Sequence, residues 1–297
     1  MALRLNRYQR DSVKAYSLAK GGINLAIVVL QEDAKKDAQS PPAYDAPDEL
    51  WANNEEEFKN ISFGNDKDEF AVVYYIEKIG DSEEIKYGVT DEERKININK
   101  ADKSLLASLP GISEDLANNI LAWRGDKDPD IPESAKDYEA LGYTYKNETF
   151  VNIEELLVVK GLTEETYNQI KDLITVWGEK DGKININTAS PEILIILANS
   201  VAKDNERGCV DVVVNEILRQ RAEKKYFTTL SEIVISDDLV GGTSSDVDLF
   251  NISLKPNLIV TSNYFRIISE GNVDGLKREI SCVYDRDERK IVFWHEN

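Results

Sequence analysis

The chain has 297 residues, 41% hydrophobic and 31% charged: room for one large or two medium domains with a real core, and too apolar for a disordered chain. Its formal charge is −19, and residues 1–31 carry five Lys/Arg against one Asp, which leaves the remainder near −23. A surface that acidic repels phosphate backbones and draws cations, so nucleic acid is a poor default partner.

The first predicted element is a helix over Leu3–Asp33. Leu5, Tyr8, Ala15, Ala19, Ile23, Ala26, Ile27 and Leu30 recur at steps of three, four or seven, which gives one continuous apolar stripe. The other face of the first half is basic (Arg4, Arg7, Arg10, Lys14), while Leu25, Val28 and Val29 make the second half apolar nearly all round. Such a helix begins as a free or partner-bound rod and ends buried in a domain. Gly21-Gly22, at the change of character, costs about 1 kcal/mol per glycine relative to alanine and suggests close packing against a neighbour. No run of about 18 consecutive apolar residues predicts a membrane span, and no signal-peptide pattern opens the chain. The abrupt start in mid-helix sequence reads as a start downstream of a removed segment.

Lys35–Glu57, with Ser40-Pro41-Pro42 and Pro47, reads as an extended crossing. Phe70–Ile76 is β-branched and aromatic and predicts a strand, with Ile85–Val89 as its hairpin partner. At the C-terminus Tyr264–Glu270, Lys277–Tyr284 and Lys290–Trp294, separated by turn sequences, predict an antiparallel meander.

The middle, about 95–255, is mostly helical and repeats internally. Lys95-Ile96-Asn97-Ile98-Asn99-Lys100-Ala101 returns 88 residues later as Lys183-Ile184-Asn185-Ile186-Asn187-Thr188-Ala189. Each copy leads into an amphipathic helix (Ser104–Leu109, Pro191–Leu197), then a second helix ending in basic residues (Leu116–Arg124, Val212–Arg221), then Phe150–Glu155 or Phe227–Glu232. Repetition of this length indicates a duplicated supersecondary unit.

Three features could carry chemistry. The unit ending in Leu109-Pro110-Gly111-Ile112 resembles a helix-hairpin-helix, whose tight turn presents backbone N–H groups to a DNA phosphate. Here Glu114-Asp115 follows the turn, and the second copy has Ala198-Asn199-Ser200 with no glycine, so a packing role is expected instead. Asp126, Asp128, Asp130, Glu133, Asp137 and Glu139 place six carboxylates in 14 residues. That suits Ca²⁺, which takes six to eight oxygens, with Asn147 and Glu155 as outlying ligands; the alternative is a solvated acidic loop. Cys209 and Cys282 form one disulfide worth about 2–4 kcal/mol if the chain is exported, and are ordinary buried thiols in a reducing compartment; the disulfide is the expectation carried forward. Catalysis finds little support: the only histidine is His295, and no phosphate loop, nucleophile elbow or zinc spacing occurs.

Together these parts resemble a known family. Arg10-Asp11-Ser12, continuing through Ala15-Tyr16-Ser17-Leu18-Ala19-Lys20-Gly21-Gly22-Ile23, is similar to the second half of a pilin's long N-terminal helix. The Ile-Asn-Ile-Asn repeats, Trp123-Arg124 with Asp126 and Asp128, and Phe150 through Glu155-Leu156 to Lys160-Gly161-Leu162 resemble the K-type minor pseudopilin of bacterial type II secretion systems. The resemblance implies an α+β, pilin-like fold: a long N-terminal helix (1–34) on an antiparallel sheet (35–94 and 256–297), with a large helical domain (95–255) inserted between strands. It implies a non-enzymatic subunit at the tip of a periplasmic pseudopilus, at the periplasmic face of the inner membrane and single-pass when full length. Expected partners are the I- and J-type minor pseudopilins, with the major pseudopilin and inner-membrane assembly components beyond them. It adds weight to calcium at Asp126 and Asp128, and places Leu5, Tyr8, Ala15 and Ala19 against partner helices.

Overall fold

The N-terminal stripe folds as one helix, α1 (Ala2–Gln39), in a computed structural model that describes residues 2–63, 69–79, 82–126, 138, 142, 146–236 and 244–297. The chain divides into two units, residues 1–92 with 261–297, and residues 93–260. In the first unit α1 lies on an antiparallel sheet. Its strands, numbered along the chain, are β1 (Glu69–Val73), β4 (Thr90–Asp91), β9 (Tyr264–Val273), β10 (Leu276–Asp285) and β11 (Lys290–Glu296), in the order β1-β9-β10-β11 with β4 also on β9. The β9–β10 hairpin turns through Asp274-Gly275, both at positive φ, the backbone that a tight hairpin requires.

The predicted strand Phe70–Ile76 is split at Tyr74. β1 pairs with β9, whereas β2 (Tyr75–Ile79) forms a separate hairpin with β3 (Ser82–Lys86), so the hairpin partner begins earlier than expected. The expected extended crossing is partly helical: α1 runs to Gln39, and α2 (Glu55–Phe58) is a single turn capped by Asn54, whose Oδ1 accepts from Glu57 N.

Alternation along β9 buries Phe265, Ile267, Ser269, Gly271 and Val273, and Phe265 and Ile267 share one core with Ala19, Ile23, Ala26 and Leu30 of α1. The contact is unusually close. A Cβ added to Gly271 would stand 1.9 Å from Ala15 O and 2.7 Å from Ala19 N, and one added to Gly22 would stand 2.2 Å from Ser269 Oγ. Ala15 and Ala19 are therefore fully buried against the chain's own sheet, which corrects their expected role as partner-facing residues. By length and composition α1 could cross a membrane, but its apolar stripe is packed on this sheet.

The second unit gives the internal repeat its physical form. β5 (Ile96–Asn97) pairs in parallel with β6 (Ile174–Thr175), and β7 (Ile184–Asn185) does the same with β8 (Leu258–Ile259). The first copy continues into α3 (Lys103–Ala107) and α4 (Glu114–Trp123), followed by α5 (Glu164–Ile170). The second continues into α6 (Pro191–Val201) and α7 (Val210–Lys224). Asn99 donates to Phe150 O at 2.9 Å and accepts from Phe150 N at 2.8 Å; Asn187 makes the same pair with Phe227 at 2.9 and 2.8 Å. Arg124 Nη1 donates to Ile98 O and Ala101 O, and Arg221 Nη1 to Ile186 O and Ala189 O. Each asparagine ties the strand to a distant loop, and each arginine satisfies carbonyls that burial has removed from water.

The helix–sheet contact leaves no room for a methyl group. Gly271→Ala is expected to destabilise the first unit by about 2–4 kcal/mol, through overpacking against helix backbone that cannot yield as a side chain would. A thermal melt of the variant, read by tryptophan fluorescence, checks it. Ala15→Glu is expected to lower the melting temperature in the same way and not to act selectively on partner binding.

Candidate functional site

Past the end of the sheet the stripe of α1 becomes surface. Leu5 and Tyr8 are 58% and 54% exposed, while Ala15 and Ala19, further along the same stripe, are fully buried. Asp11, buried beside Arg7 and Arg10, marks the border, and Arg7 Nη2 donates to Asp274 Oδ2 at 2.9 Å in the terminal turn of the sheet. Of the four predicted partner-facing residues, Leu5 and Tyr8 are thus available to another molecule.

Among the expected calcium ligands, Asp128, Asp130, Glu133 and Asp137 lie outside the described residues. Asp126 lies within them, and both its oxygens are engaged by Arg124: Nε donates to Oδ1 at 2.9 Å and Nη2 to Oδ2 at 2.6 Å. Glu155 is occupied as well, accepting from Val151 N and from Lys146 Nζ. Its carboxyl sits below the usual range because these hydrogen bonds outweigh the opposing cost of burial. These two carboxylates hold cationic side chains of the chain itself. Asn147, the third expected ligand within the described residues, stands at φ 54.

Cys209 and Cys282 are both thiols, which corrects the expected disulfide. Cys282 is fully buried on β10 in the first unit, where desolvation pushes its thiol up to about 12. Cys209 stands at the entrance to α7 in the second unit. Chain spacing could not reveal that the two cysteines belong to separate units.

The hairpin at Leu109-Pro110-Gly111-Ile112 has a mate, but not the one expected at Ala198-Asn199-Ser200. Its counterpart is Val159-Lys160-Gly161-Leu162, 50 residues on. Gly111 (φ +73) faces Thr166 and Gln169 of α5, and Gly161 (φ +87) faces Leu116 and Asn119 of α4, the fifth and eighth residues after each glycine. This reciprocal packing is that of a pseudo-twofold pair. The helix starts that a phosphate would approach are taken: Ser113 Oγ accepts from Leu116 N, Thr163 Oγ1 accepts from Thr166 N, and Glu114-Asp115 and Glu164-Glu165 fill the first turns.

One cluster escaped the sequence reading. Asp33 near the end of α1 and Asp45 and Glu49 in the following loop bring carboxylate oxygens within 4.8 Å of one another, a spacing that a metal ion could bridge. Arg286, beyond the end of β10, bonds two of them. It donates to Asp45 through Nη1 at 2.8 Å and Nη2 at 2.6 Å and to Asp33 at 3.2 Å, while its guanidinium lies 4.9 Å from the Phe265 ring. Two of the three carboxylates, Asp45 and Asp33, bond this arginine, and Asp37 adds further negative charge to Asp33. Desolvation first, then Asp33 and Asp45, raise Glu49 to about 9; desolvation and Asp45 raise Asp33 to about 6, opposed by a hydrogen bond from Glu49 and by Arg286. Nothing local in the sequence announces the site, because its members are brought together only by the fold.

The sign of the pH dependence follows. A carboxyl whose folded value is raised leaves the unfolded chain ionised before the folded one, so stability declines as pH rises from about 4.3 toward 9. Glu49→Gln, which cannot ionise, is expected to match wild type at pH 4 and to exceed it by about 1–2 kcal/mol at pH 9, after discounting for solvent screening. Urea unfolding at the two pH values checks this.

A helix-hairpin-helix motif family model matches residues 91–129. No curated protein sequence matches the chain. Among solved structures, the chain is similar to one in the crystal structure of the GspK-GspI-GspJ complex from the enterotoxigenic Escherichia coli type 2 secretion system. The two share 14% sequence identity with a TM-score of 0.69, over 98% of this chain and 99% of that one. The chain therefore has the fold of that subunit nearly from end to end.

Proposed function

We propose that the chain is a non-enzymatic K-type minor pseudopilin that joins I- and J-type minor pseudopilins at the tip of a type II secretion pseudopilus. There, at the periplasmic face of the bacterial inner membrane, it primes assembly of the major pseudopilin with inner-membrane assembly components. The observation that carries this reading is the fold match over 98% of the chain to a subunit solved in a complex of that kind. The protruding first turns of α1 support it physically. Leu5 and Tyr8 prolong a stripe that the chain's own sheet no longer covers, as a helix must if it packs side by side with others. The helix-hairpin-helix match favours a nucleic-acid reading only at first sight, since both hairpins carry capped, acidic helix starts in a chain of charge −19.

The test mixes the chain with the I- and J-type minor pseudopilins of its own secretion system. A stable three-part complex is expected. Leu5→Glu with Tyr8→Glu should weaken it at least about tenfold, with the melting temperature unchanged, because these exposed residues support no core. Absence of a complex with the wild-type chain, or full binding by the double variant, overturns the reading. Calcium is assigned to the expected ligands Asp128, Asp130, Glu133 and Asp137, without Asp126. Millimolar Ca²⁺ should then raise the melting temperature over that in chelator, in wild type and in Asp126→Asn alike. Identical curves with and without the ion remove calcium from the account.

A further inference from the structure

The duplicated arginines differ in one respect. Arg124 and Arg221 clamp the same carbonyl pair in each copy through Nη1, but only Arg124 uses its other edge, where Nε and Nη2 hold the carboxylate of Asp126. Glu223 stands at the same two-residue offset from Arg221 and does not take that place. In the first copy α4 stops at Trp123, and Gly125 (φ +89) turns the chain so that Asp126 comes back onto the guanidinium. In the second, α7 runs on through Lys224. Residues two apart on a helix point away from each other, so Glu223 is carried off to pair with Arg219 at 2.5 Å. Among the described residues, Nε and Nη2 of Arg221 are left without an acceptor, on a half-buried side chain.

We propose that the Nε–Nη2 edge of Arg221 is a binding point for a carboxylate supplied from outside the chain, filling the place that Asp126 fills in the first copy. The electrostatics agree. Burial, and then the nearby Arg94, pull the Arg221 guanidinium down to about 10, the opposite of what a bound carboxylate does. An anion on the open edge relieves both effects, and the planar fork of Arg selects a two-oxygen acceptor over a spherical ion. The carboxylate comes either from an acidic side chain of another subunit or from a small organic acid.

The probe is acetate, titrated against chloride at constant ionic strength into ¹⁵N-labelled whole chain while the arginine Nε–H resonances are followed. Arg221 Nε–H is expected to shift saturably, with half-saturation below about 100 mM, and Arg124 Nε–H, already bonded to Asp126, to stay still. Arg221→Gln should abolish any acetate-dependent gain in melting temperature. An Arg221 signal that does not move, or that moves no more with acetate than with chloride, overturns the proposal. A second arm separates the two sources: a shift of Arg221 on adding an I- or J-type minor pseudopilin, reversed by acetate, identifies a protein side chain. A shift with acetate alone identifies a small acid.

Discussion

The first unit depends on one close approach, the backbone of α1 lying on the backbone of β9. Gly271 lets Ala15 O and Ala19 N come within a methyl's width, and Gly22 does the same for Ser269. Because β9 also pairs with β1, β4 and β10, the strand that receives the helix is the one that organises the sheet. Small residues (Ala15, Ala19, Gly22) occupy the stripe where the backbones come closest, over Ser269 and Gly271, and Ile23 and Leu30 fill the core beyond them. Where the sheet ends, at the turn reached by Arg7, the stripe passes to Leu5 and Tyr8 and faces outward. One helix thus has a long stretch committed to the fold and short first turns left exposed, and the boundary falls where β9 and β10 end.

The second unit is held differently. Its described strands are two residues long, and β5 and β7 are each followed by an asparagine that closes a loop and by carbonyls that an arginine answers. Such polar ties specify position where a short strand alone would slip. The two copies share the structural half of each arginine and differ in the other half, since helix length after the arginine decides whether the chain can supply its own carboxylate. The hairpins tell a related story: a motif suited to phosphate elsewhere is here turned inward on its mate and ringed with acids.

Much of this architecture was legible in the residues. The periodicity from Leu5 to Leu30 marked α1, the C-terminal runs marked β9, β10 and β11, and the Ile-Asn-Ile-Asn recurrence marked the duplication. What periodicity cannot tell is which molecule a stripe meets: Ala15 and Tyr8 obey the same spacing, and only the extent of the sheet separates them. The hairpin pair was also present in the sequence, as Leu109–Asp115 against Val159–Glu165, but the stronger repeat at 88 residues drew attention to Ala198-Asn199-Ser200. The cluster around Arg286 had no local sign, because Asp33, Asp45, Glu49 and Arg286 are joined only by long-range packing.

The proposed role reduces to an N-terminal helix that docks sideways into sister subunits at the end of a filament. The most direct measurement is the position of this subunit in assembled pseudopili, read by electron microscopy of filaments carrying a label on the C-terminal strand β11. The account predicts label at one end of each filament and nowhere along the shaft. Label repeating along the shaft, with copies above and below one another, contradicts it.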